Sequence, residues 1–388
     1  MEPVKVFLVA GESSGDSHAA ELVRALRELD PTVRCESLGG PLLEAAGAPT
    51  PFDFVAHATM GFVPVLKKLP FFRRALAETV ERLAKDPPHV LVPVDYPGFN
   101  LRLAKKAKDL GIPVCYYVSP QVWAWAGWRV KKIARSVDHM MCLFPFEKTF
   151  YESHGVPVTH VGHPIFDAMR AEKRAAGFRE QLGVAPTEPI VALLPGSREF
   201  EIDENLPLML EVAKAIAARA PDARFVVPCA HEKLRPRIDA LVQASGVVAQ
   251  VLDGQAREVG RRARVALVTS GTATLELLFH EVPMVIVYAA SQLKVNLVRK
   301  FLVKLQWIGL VNILGGKDVV PEFIGNGHPR DEVAKAAIEL LRDGRARKKT
   351  LARLQDLKRE VAGPGASRRA AEVVLALARS GAARAASK

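Results

Sequence analysis

Cysteine is scarce in this sequence, and long apolar runs and closely paired aspartates are missing from it. No two cysteines form a Cys-x-x-Cys pair, which argues against a zinc site and a disulfide framework. The cysteines are Cys35, Cys115, Cys142 and Cys229. They are expected to be buried free thiols in a reducing cytosol. No apolar run approaches the ~20 residues that a membrane-spanning helix needs. Asp-x-Asp occurs nowhere, so a metal-bridged diphosphate site would lack evident ligands.

The composition is that of a folded, cationic protein. Of the 388 residues, 49% are hydrophobic and 25% are charged, and 54 Lys and Arg against 42 Asp and Glu give a net charge of +12. The length exceeds what one hydrophobic core usually holds, so two domains are expected. The positive excess predicts a polyanionic partner, either a nucleic acid, an anionic membrane surface or a phosphorylated substrate. General solubility is the alternative explanation of the charge.

Short apolar runs alternate with helical patterns along most of the chain. Because these runs lack polar alternation, they are predicted to be parallel strands covered on both faces by helices. They lie at 4–10, 89–94, 113–119, 139–145 and 159–165, and again, after a helical stretch, at 189–197, 223–230, 248–254, 264–271 and 283–290. The two series predict an α/β protein with two doubly wound, Rossmann-like parallel-sheet domains facing a cleft. Ligands of such domains bind at the carboxyl ends of the strands.

The last part of the chain, from about residue 328, has a helical pattern rich in Ala, Arg and Lys and contains no strand-like run. We therefore divide the chain into an N-terminal domain at 1–170, a second domain at 171–340 and C-terminal helices at 341–388. Those helices are expected to pack back on the N-terminal domain or on a partner subunit, as in a homodimer.

A glycine-rich loop, GESSGD at 11–16, follows the first predicted strand and precedes a helical run. Strand, glycine-rich loop and helix are the parts of a phosphate-binding turn. This loop, however, lacks the lysine of a P-loop and does not match G-x-G-x-x-G, and Glu12 and Asp16 would repel a phosphate. The residues alone therefore leave the ligand of this loop open.

Two loops of the second domain carry the features of a nucleotide site. LLPGSRE at 193–199 ends a strand with a glycine that lets a ligand approach the backbone and an arginine that suits a diphosphate. TSGTATLELLF at 269–279 opens a helix whose free N–H groups favour an anion, with a glutamate one turn further for ribose hydroxyls. The predicted contacts are Gly196, Ser197, Arg198, Ser270, Gly271, Thr272 and Glu276. We predict a metal-free nucleoside-diphosphate pocket, against the alternatives of a plain strand-end turn and a solvated helix acid.

In the first domain, PVDYPGFN at 93–100 places Asp95 just past a buried strand. Its apolar neighbours are expected to raise the pKa of the Asp95 carboxyl, which suits a general base. The alternative is an N-cap. It is disfavoured because the next helix is predicted to begin at Asn100, too far along the chain for Asp95 to cap it.

A tryptophan-rich loop follows the next strand, in YYVSPQVWAWAGWRVKKI at 116–133. Flat aromatic faces bind sugar rings and acyl chains well, so Trp123 and Trp125 are predicted to contact an acceptor, with core packing as the alternative. Arg129 is predicted to attract an anionic group on that acceptor. His163, near the end of this domain's last predicted strand, is either a titrating site residue or a packed histidine.

Two stretches, at 60–76 and 293–310, combine large apolar side chains with Lys and Arg and contain no acid. Segments of this kind lie in the plane of anionic bilayers. The alternative is a pair of buried amphipathic helices with snorkelling cations. In the first stretch, the residues predicted to contact a membrane are Phe62, Leu66, Lys67, Lys68, Phe71, Phe72 and Arg73.

Seven stretches, in this order along the chain, resemble one protein family. They are GESSGD (11–16), VDYPGFN (94–100), YYVSPQVWAW (116–125), LFPFEKTFY (143–151), LLPGSR (193–198), TSGTATLE (269–276) and LVNILGGKDVVPE (310–322). Together they resemble the lipid-A-disaccharide synthases, which are bacterial glycosyltransferases of lipopolysaccharide assembly. The resemblance extends from the first strand to about residue 322.

The resemblance implies a GT-B fold and an inverting reaction that needs neither a metal nor a cofactor. The donor would be UDP-2,3-diacylglucosamine and the acceptor 2,3-diacylglucosamine 1-phosphate, known as lipid X. The products would be the β-1′,6-linked disaccharide 1-phosphate and UDP. It further implies a cytoplasmic protein held peripherally on the anionic inner leaflet of the inner membrane, without a nucleic acid partner.

The family's functional positions can be placed on this chain. Its essential aspartate falls on Asp95. Its UDP contacts fall on Arg198, the 270–272 loop, Glu276 and Asn312. GESSGD would then lie on the acceptor side, where Glu12 or Asp16 would orient or share the proton that Asp95 takes.

This chain departs from the family pattern at two positions. Gly98 stands where a second Asp is common, which leaves Asp95 as the only carboxylate of its loop. Gly325 stands where a Gln is common, so that contact is not transferred to this chain.

Two other functions are compatible with parts of the pattern. A UDP-sugar 2-epimerase, such as a UDP-N-acetylglucosamine 2-epimerase, shares the GT-B architecture and would use the same UDP pocket, but it needs neither the basic apolar stretches nor the tryptophan loop. A basic nucleic-acid-binding module is the alternative outside enzymes. The cations cluster with apolar residues, however, and no RNP, zinc or helix-turn-helix pattern is evident.

Overall fold

The computed structural model describes residues 3–57, 69–125, 127–172, 176–289, 307–325 and 330–386. The chain forms two compact units, of which the first consists of Met1–Asp167 and Gly363–Lys388 and the second of Ala168–Ala362. The chain therefore leaves the first unit after Asp167 and returns to it after Ala362.

The first unit is built on a six-stranded sheet in which all neighbouring strands are parallel. The strands are β1 (Lys5–Ala10), β2 (Arg34–Leu38), β3 (Val90–Val94), β4 (Cys115–Tyr117), β5 (His139–Cys142) and β6 (Val158–His160). Their order across the sheet is β2-β1-β3-β4-β5-β6. Because the chain moves outward in opposite directions from β1 and β3, the topological switch point lies between the carboxyl ends of these two strands.

Helices connect these strands and cover the sheet. They are α1 (Ser13–Leu29), α2 (Pro41–Ala45), α3 (Phe54–His57), α4 (Leu69–Lys85), α5 (Pro97–Asp109), α6 (Val122–Trp125), α7 (Val130–Ser136), α8 (Pro145–Glu152) and α9 (Ile165–Ala171). A 3₁₀ turn, Gly127–Arg129, lies between α6 and α7. The hydrophobic core joins β1, β3 and β4 to the buried face of α5, including Leu103, Ala104 and Ala107.

The second unit contains another six-stranded parallel sheet. Its strands are β7 (Ile190–Leu194), β8 (Arg224–Cys229), β9 (Ala249–Asp253), β10 (Val265–Val268), β11 (Met284–Tyr288) and β12 (Glu322–Ile324). Their order is β12-β11-β10-β7-β8-β9, which is the order of a dinucleotide-binding Rossmann sheet. The switch point lies between β7 and β10, where Leu194 pairs with Val268.

The helices of the second unit are α10 (Phe178–Gln181), α11 (Glu199–Ala217), α12 (Arg235–Ser245), α13 (Ala256–Arg262), α14 (Thr272–Phe279), α15 (Leu310–Gly315), α16 (Arg330–Leu341) and α17 (Arg345–Val361). Helix α11 buries Ile202, Leu206, Met209 and Ala213 against this sheet. This spacing of three to four residues forms one apolar stripe on the helix. Helix α11 thereby fixes the loop after β7 relative to the sheet.

The last helix, α18 (Ala366–Ala386), returns to the first unit and packs against α1. Small side chains allow the close approach, since Ala370, Ala371 and Ala378 are fully buried. Arg369 anchors the start of the helix, because its Nε donates to the Val161 carbonyl at 2.9 Å. The C-terminal residues are therefore divided, with α17 in the second unit and α18 in the first.

All ten predicted strands are present, and the predicted pair of parallel sheets is confirmed. Two strands in the described ranges were not predicted. Strand β2 (Arg34–Leu38) contains three polar residues, and β12 (Glu322–Ile324) is only three residues long. The predicted start of α5 at Asn100 was wrong, because the helix begins at Pro97, whose fixed φ suits a first helical turn.

Two expectations from the composition can be compared with the structure. All four cysteines are buried and free of disulfide bonds. Among the residues with described positions, no helix is both long enough and apolar enough to cross a bilayer.

Candidate functional site

A pocket of about 420 Å³ lies at the switch point of the second unit. It is formed by the loops that follow β7 and β10 together with the start of α14. Its lining includes all seven residues predicted from the two nucleotide-type loops, namely Gly196, Ser197, Arg198, Ser270, Gly271, Thr272 and Glu276. The structure therefore brings the predicted nucleotide contacts together in one pocket.

Glycines allow the backbone conformation of both loops of this pocket. Gly196 has φ 119° and Gly271 has φ 146°, a region that other residues rarely adopt. Gly271 is the N-cap of α14, so the free N–H groups of the first helical turn belong to a helix that begins at the pocket. Ser270 is oriented by its Oγ, which donates to the Ile308 carbonyl at 2.7 Å. A helix start of this kind favours an anion.

Arg198, the predicted diphosphate contact, is paired with Glu201, a residue that the sequence reasoning missed. Its Nη1 donates to Oε1 of Glu201 at 2.9 Å. Oε2 of Glu201 accepts from the backbone N–H groups of Ser197 and Arg198 at 2.9 and 3.2 Å. One carboxylate thus occupies three donors of the pocket. Its signal in the sequence is an acid three residues after a helix N-cap, which is the capping-box spacing.

Glu276, the predicted ribose contact, is held by Arg257 of α13. The Nε of Arg257 donates to Oε1 of Glu276 at 2.9 Å, and Nη1 of Arg257 lies 3.9 Å from Oε2 of Glu172. Burial raises the pKa of the Glu276 carboxyl, and the neighbouring Arg257 opposes that shift. Sequence reasoning missed Arg257, because an arginine on a separate helix carries no sequence signal for its partner.

Asn312, implied as a UDP contact, has a different environment in the structure. It is fully buried. Its Nδ2 donates to the Val320 carbonyl at 3.1 Å and to Oε2 of Glu322 at 2.7 Å. Its Oδ1 accepts from the N–H groups of Val319 and Val320 at 2.9 and 3.0 Å. The interpretation of Asn312 is therefore corrected, because its amide is saturated by the chain segment that it holds.

In the first unit, the switch point carries Asp95 and Tyr96 directly after β3. Both residues have φ 47°, a left-handed conformation that side chains other than glycine adopt at a cost. The backbone carbonyl of Asp95 accepts from Nδ2 of Asn100 at 2.7 Å and from the hydroxyl of Tyr116. These hydrogen bonds hold the strained turn in place, so that Asp95 has a fixed position at the carboxyl end of β3.

The Asp95 side chain lies in a partly desolvated environment. It is half-buried, and desolvation raises the pKa of its carboxyl, while a hydrogen bond from the Tyr96 backbone opposes the shift. It is not an N-cap, since Tyr96 occupies that position of α5. Gly98 lies at the exposed start of α5, and a side chain there would meet no neighbour within 4 Å.

Glu12 follows β1 at the same switch point. Ala10 and Val94 pair in register, so the turns after β1 and β3 lie side by side. The aromatic ring of Tyr96 covers Gly11 so closely that a Cβ on Gly11 would lie 2.2 Å from it. The negative charge of Glu12 contributes, after desolvation, to a raised pKa of the Tyr96 hydroxyl. Glu12 therefore lies near Tyr96, the residue that follows Asp95.

Asp16, also predicted to act in catalysis, is engaged elsewhere. It is buried, and its carboxylate accepts from the backbone N–H groups of Gly40, Leu42 and Leu43 at 2.8, 3.0 and 3.4 Å. Those groups belong to the start of α2, whose free donors require acceptors. The catalytic interpretation of Asp16 is therefore corrected to a structural one.

The tryptophan loop is tied to a buried acid that the sequence reasoning missed. Nε1 of Trp123 donates to Oε1 of Glu147 at 3.1 Å, and its ring meets Phe146 edge to face at 4.7 Å. Trp123 and Arg129 are half-buried. The side chain of Trp125 lies outside the described residues. The sequence signal for Glu147 is a single acid within the aromatic stretch LFPFEKTFY.

His163 is buried near the end of the first unit's sheet. Desolvation and then the neighbouring His18 lower the pKa of His163 well below the usual histidine range. Its Nδ1 accepts from the Ile165 backbone at 3.2 Å, and its ring lies 5.3 Å from that of His18. A neutral, packed imidazole fits this environment better than a cation for an anionic acceptor.

Part of the predicted membrane segment can be located. Phe62, Leu66, Lys67 and Lys68 lie outside the described residues. Phe71 and Phe72, in the first turn of α4, pack against the hydrophobic core. The ring centroids of Phe71 and Phe72 lie 6.2 and 6.0 Å from that of Phe54. Insertion of these two rings into a membrane is therefore corrected to core packing, while Arg73 is exposed.

Comparison with known proteins gives the family of the chain. The model of the Lipid-A-disaccharide synthetase family matches residues 6–376. The lipid-A-disaccharide synthase of Myxococcus xanthus (strain DK1622) is 40% identical over 375 residues, which cover 97% of this chain and 98% of that protein. The lipid-A-disaccharide synthase of Geobacter sulfurreducens is 39% identical over 371 residues, 96% of either chain.

Solved structures with low sequence identity share the fold. A UDP-glucosyltransferase from Polygonum tinctorium superposes with a TM-score of 0.62 at 16% identity, covering 97% of this chain and 99% of that one. The UDP-GlcNAc 2-epimerase of Methanocaldococcus jannaschii gives 0.61 at 15% identity, covering 96% and 99%. The fold is thus of the GT-B class, as the resemblance implied. Because the family match spans nearly the whole chain, this chain belongs to the lipid-A-disaccharide synthase family.

Proposed function

We propose that this chain transfers the diacylglucosamine unit of UDP-2,3-diacylglucosamine to the 6-hydroxyl of 2,3-diacylglucosamine 1-phosphate (lipid X). The products are the β-1′,6-linked disaccharide 1-phosphate and UDP. Family membership makes the chain a glycosyltransferase that forms the lipid A disaccharide, and it does not favour an epimerase or a nucleic-acid-binding module. The proposal adds the donor, the acceptor and the residues that act on them.

The pocket of the second unit is the proposed UDP site. Its lining by the predicted nucleotide contacts is the main support for the proposal. The diphosphate would lie at the start of α14, where Ser270, Gly271 and Thr272 present N–H groups and a helix dipole. The guanidinium of Arg198 would neutralise the negative charge that develops on the departing UDP. Glu276, held by Arg257, would accept from the ribose hydroxyls.

The chemical step is assigned to Asp95. Its carboxylate would accept the proton of the acceptor 6-hydroxyl while that oxygen attacks the anomeric carbon of the donor. The new carbon–oxygen bond forms as the bond from the anomeric carbon to the diphosphate breaks, and the electron pair leaves with UDP. Attack opposite the leaving group inverts the anomeric carbon to the β product. Glu12 would orient the same hydroxyl.

The role of Asp95 is tested by Asp95→Asn. The amide keeps the shape of the side chain but does not accept the proton, so kcat should fall by ~10² to 10⁴. UDP binding, measured by calorimetry, should be unchanged, since the pocket is in the other unit. Glu12→Gln serves as the comparison and should lower kcat less. Near-wild-type turnover of Asp95→Asn would contradict the assignment and move the role to Glu12.

No step of this scheme uses a metal. The proposal therefore predicts that EDTA leaves turnover unchanged. A loss of activity in EDTA that Mg²⁺ restores would instead assign charge neutralisation at the diphosphate to a metal.

Peripheral membrane binding completes the proposal, since both substrates carry acyl chains. The cations of 60–76 would attract an anionic surface, each contributing ~1 kcal/mol. Lys67→Glu with Lys68→Glu should reduce binding to vesicles that contain anionic lipid. The control is Lys105→Glu with Lys106→Glu on α5, which changes the net charge equally at two exposed positions. Equal loss of binding in both variants would contradict a role for this stretch.

A further inference from the structure

Glu147 joins three parts of the first unit through one buried carboxylate. Only 3% of the residue is exposed. Oε2 accepts from the backbone N–H groups of Leu143 and Phe144, both at 3.0 Å, which caps its own helix α8. Oε1 accepts from the Oγ of Ser119 at 2.8 Å and from Nε1 of Trp123 at 3.1 Å. Two of these four hydrogen bonds therefore come from the start of its own helix, and the other two come from the loop after β4.

We define this loop as residues 118–123, which includes the first two residues of α6. It is strained where it begins. Val118 has φ 61°, which for a β-branched residue is a clear departure from the allowed backbone regions. Such conformations persist only when the surrounding structure imposes them, and they concentrate at functional sites. Helix α8 supplies a second contact of this kind, since the hydroxyl of Tyr151 donates to the Pro120 carbonyl at 2.8 Å. Glu147 and Tyr151 thus hold the strained loop from the same helix.

The 118–123 loop is also connected to the proposed catalytic base. The backbone N–H of Asp95 donates to the Tyr117 carbonyl at 2.9 Å, one residue before the strained Val118. The Tyr116 hydroxyl donates to the Asp95 carbonyl. A change in the course of the 118–123 loop would therefore act on two features at once, the orientation of the Trp123 ring and the position of Asp95.

We infer that Glu147 is a positioning residue for acceptor recognition, which fixes the Trp123 ring and the 118–123 loop beside Asp95. The indole N–H of Trp123 donates to the buried carboxylate and the ring packs edge to face on Phe146, so these two contacts help to fix the orientation of the ring. A sugar ring or acyl chain that packs on an aromatic face requires such a fixed orientation. The inference rests on the proposed function, because it assigns the 118–123 loop to the acceptor.

The test is a comparison of Michaelis constants in Glu147→Gln. Glutamine keeps the size of the side chain but has one accepting oxygen, so it cannot satisfy both the backbone donors and the loop donors. The KM for lipid X should rise about tenfold or more, because the charge-assisted bonds to the loop are lost. The KM for the donor and the calorimetric affinity for UDP should stay within twofold. Glu152→Gln, an exposed acid on the same helix, should change neither constant.

A merely structural role would give a different pattern. It would lower the fraction of active enzyme, and hence kcat, while both KM values stayed the same. An unchanged acceptor KM in folded Glu147→Gln would therefore overturn the inference, as would a parallel rise of both KM values. If the wild-type enzyme forms no disaccharide from the two lipids, the proposed function fails instead, so the two failures can be told apart.

Two milder variants keep the inference testable if Glu147→Gln does not fold. Trp123→Phe retains a ring but removes the indole donor, and Ser119→Ala removes the other loop donor. Each should raise the acceptor KM several-fold, and unchanged values in both would overturn the inference. Where Glu147→Gln folds, combining it with Trp123→Phe should give less than the product of the two single effects, because both remove the same hydrogen bond.

Discussion

Arg198 and Glu201 form an ion pair inside the nucleotide pocket, with Nη1 and Oε1 2.9 Å apart. The Arg198 side chain is 44% exposed, so it can reach a bound ligand. Because an arginine suits a diphosphate through its two parallel donors, Arg198→Ala should weaken UDP binding by roughly 10- to 100-fold and slow turnover. Calorimetric titration with UDP measures the first effect. An unchanged affinity would contradict the placement of the diphosphate beside Arg198.

For Glu201, we expect a substitution to change UDP affinity in the opposite direction. Its carboxylate accepts from three donors of the pocket, and its negative charge would oppose that of a diphosphate. Glu201→Gln should therefore bind UDP several-fold more tightly. Glu199→Gln, which removes an exposed acid from the same helical turn, is the control for net charge and should have the smaller effect. Weaker binding by Glu201→Gln would mean that Glu201 orients Arg198 rather than competing with UDP.

The raised pKa of Asp95 predicts the pH dependence of the reaction. The base acts only when its carboxyl is deprotonated, so kcat/KM should fall as the pH decreases through that pKa. Desolvation raises this pKa, so the acidic limb should lie above the ordinary aspartate range. The residual activity of Asp95→Asn should lack this limb. A limb that persists in the variant would belong to another group, and Glu12→Gln would then test whether that group is Glu12.

A substitution at Asn312 tests whether its side-chain amide stabilises the fold or contacts UDP. Asn312→Ala would leave the buried N–H groups of Val319 and Val320 without their acceptor, so the free energy of unfolding should fall by about 2–3 kcal/mol. Urea unfolding followed by circular dichroism measures this change. UDP affinity of the folded variant should stay close to that of the wild type. A large loss of affinity without loss of stability would restore the UDP contact that the family resemblance implied.

A substitution at Phe72 tests whether its ring packs in the core or inserts into a membrane. Its ring lies 6.0 Å from Phe54 and 6.3 Å from Tyr96, measured between centroids. Phe72→Ala should therefore lower the free energy of unfolding by about 1–3 kcal/mol, while binding to anionic vesicles changes little. Vesicle sedimentation and urea unfolding on the same variant provide the comparison. Unchanged stability with lost vesicle binding would contradict the core assignment.

Much of this architecture could be predicted from the sequence, for a physical reason. Strands buried on both faces form continuous apolar runs, and the sequence contains ten runs of this kind. The nucleotide pocket could also be predicted, since Arg198 and the Ser270–Thr272 loop each follow a strand, and carboxyl ends of parallel strands meet at one edge. The strand Glu322–Ile324 could not, because its first residue is an acid, whereas the equally short strand Cys115–Tyr117 lies inside the longer apolar run at 113–119.

The partners of polar side chains were the main source of error. Asp16 and Asn312 lie in stretches that resemble site motifs, yet both satisfy backbone groups of neighbouring segments. Arg257 is the converse case, since it holds a site residue from a separate helix. Which donor meets which acceptor depends on how helices and loops pack in three dimensions. Composition and spacing along the chain do not contain that information.

The most direct test of the account is a product analysis of the purified protein. The protein is incubated with UDP-2,3-diacylglucosamine, with and without 2,3-diacylglucosamine 1-phosphate, and the products are separated and identified by mass spectrometry. The account predicts a disaccharide 1-phosphate and an equal amount of UDP only when both lipids are present. Conversion of the donor alone to an isomer, or no disaccharide with both substrates, would contradict it.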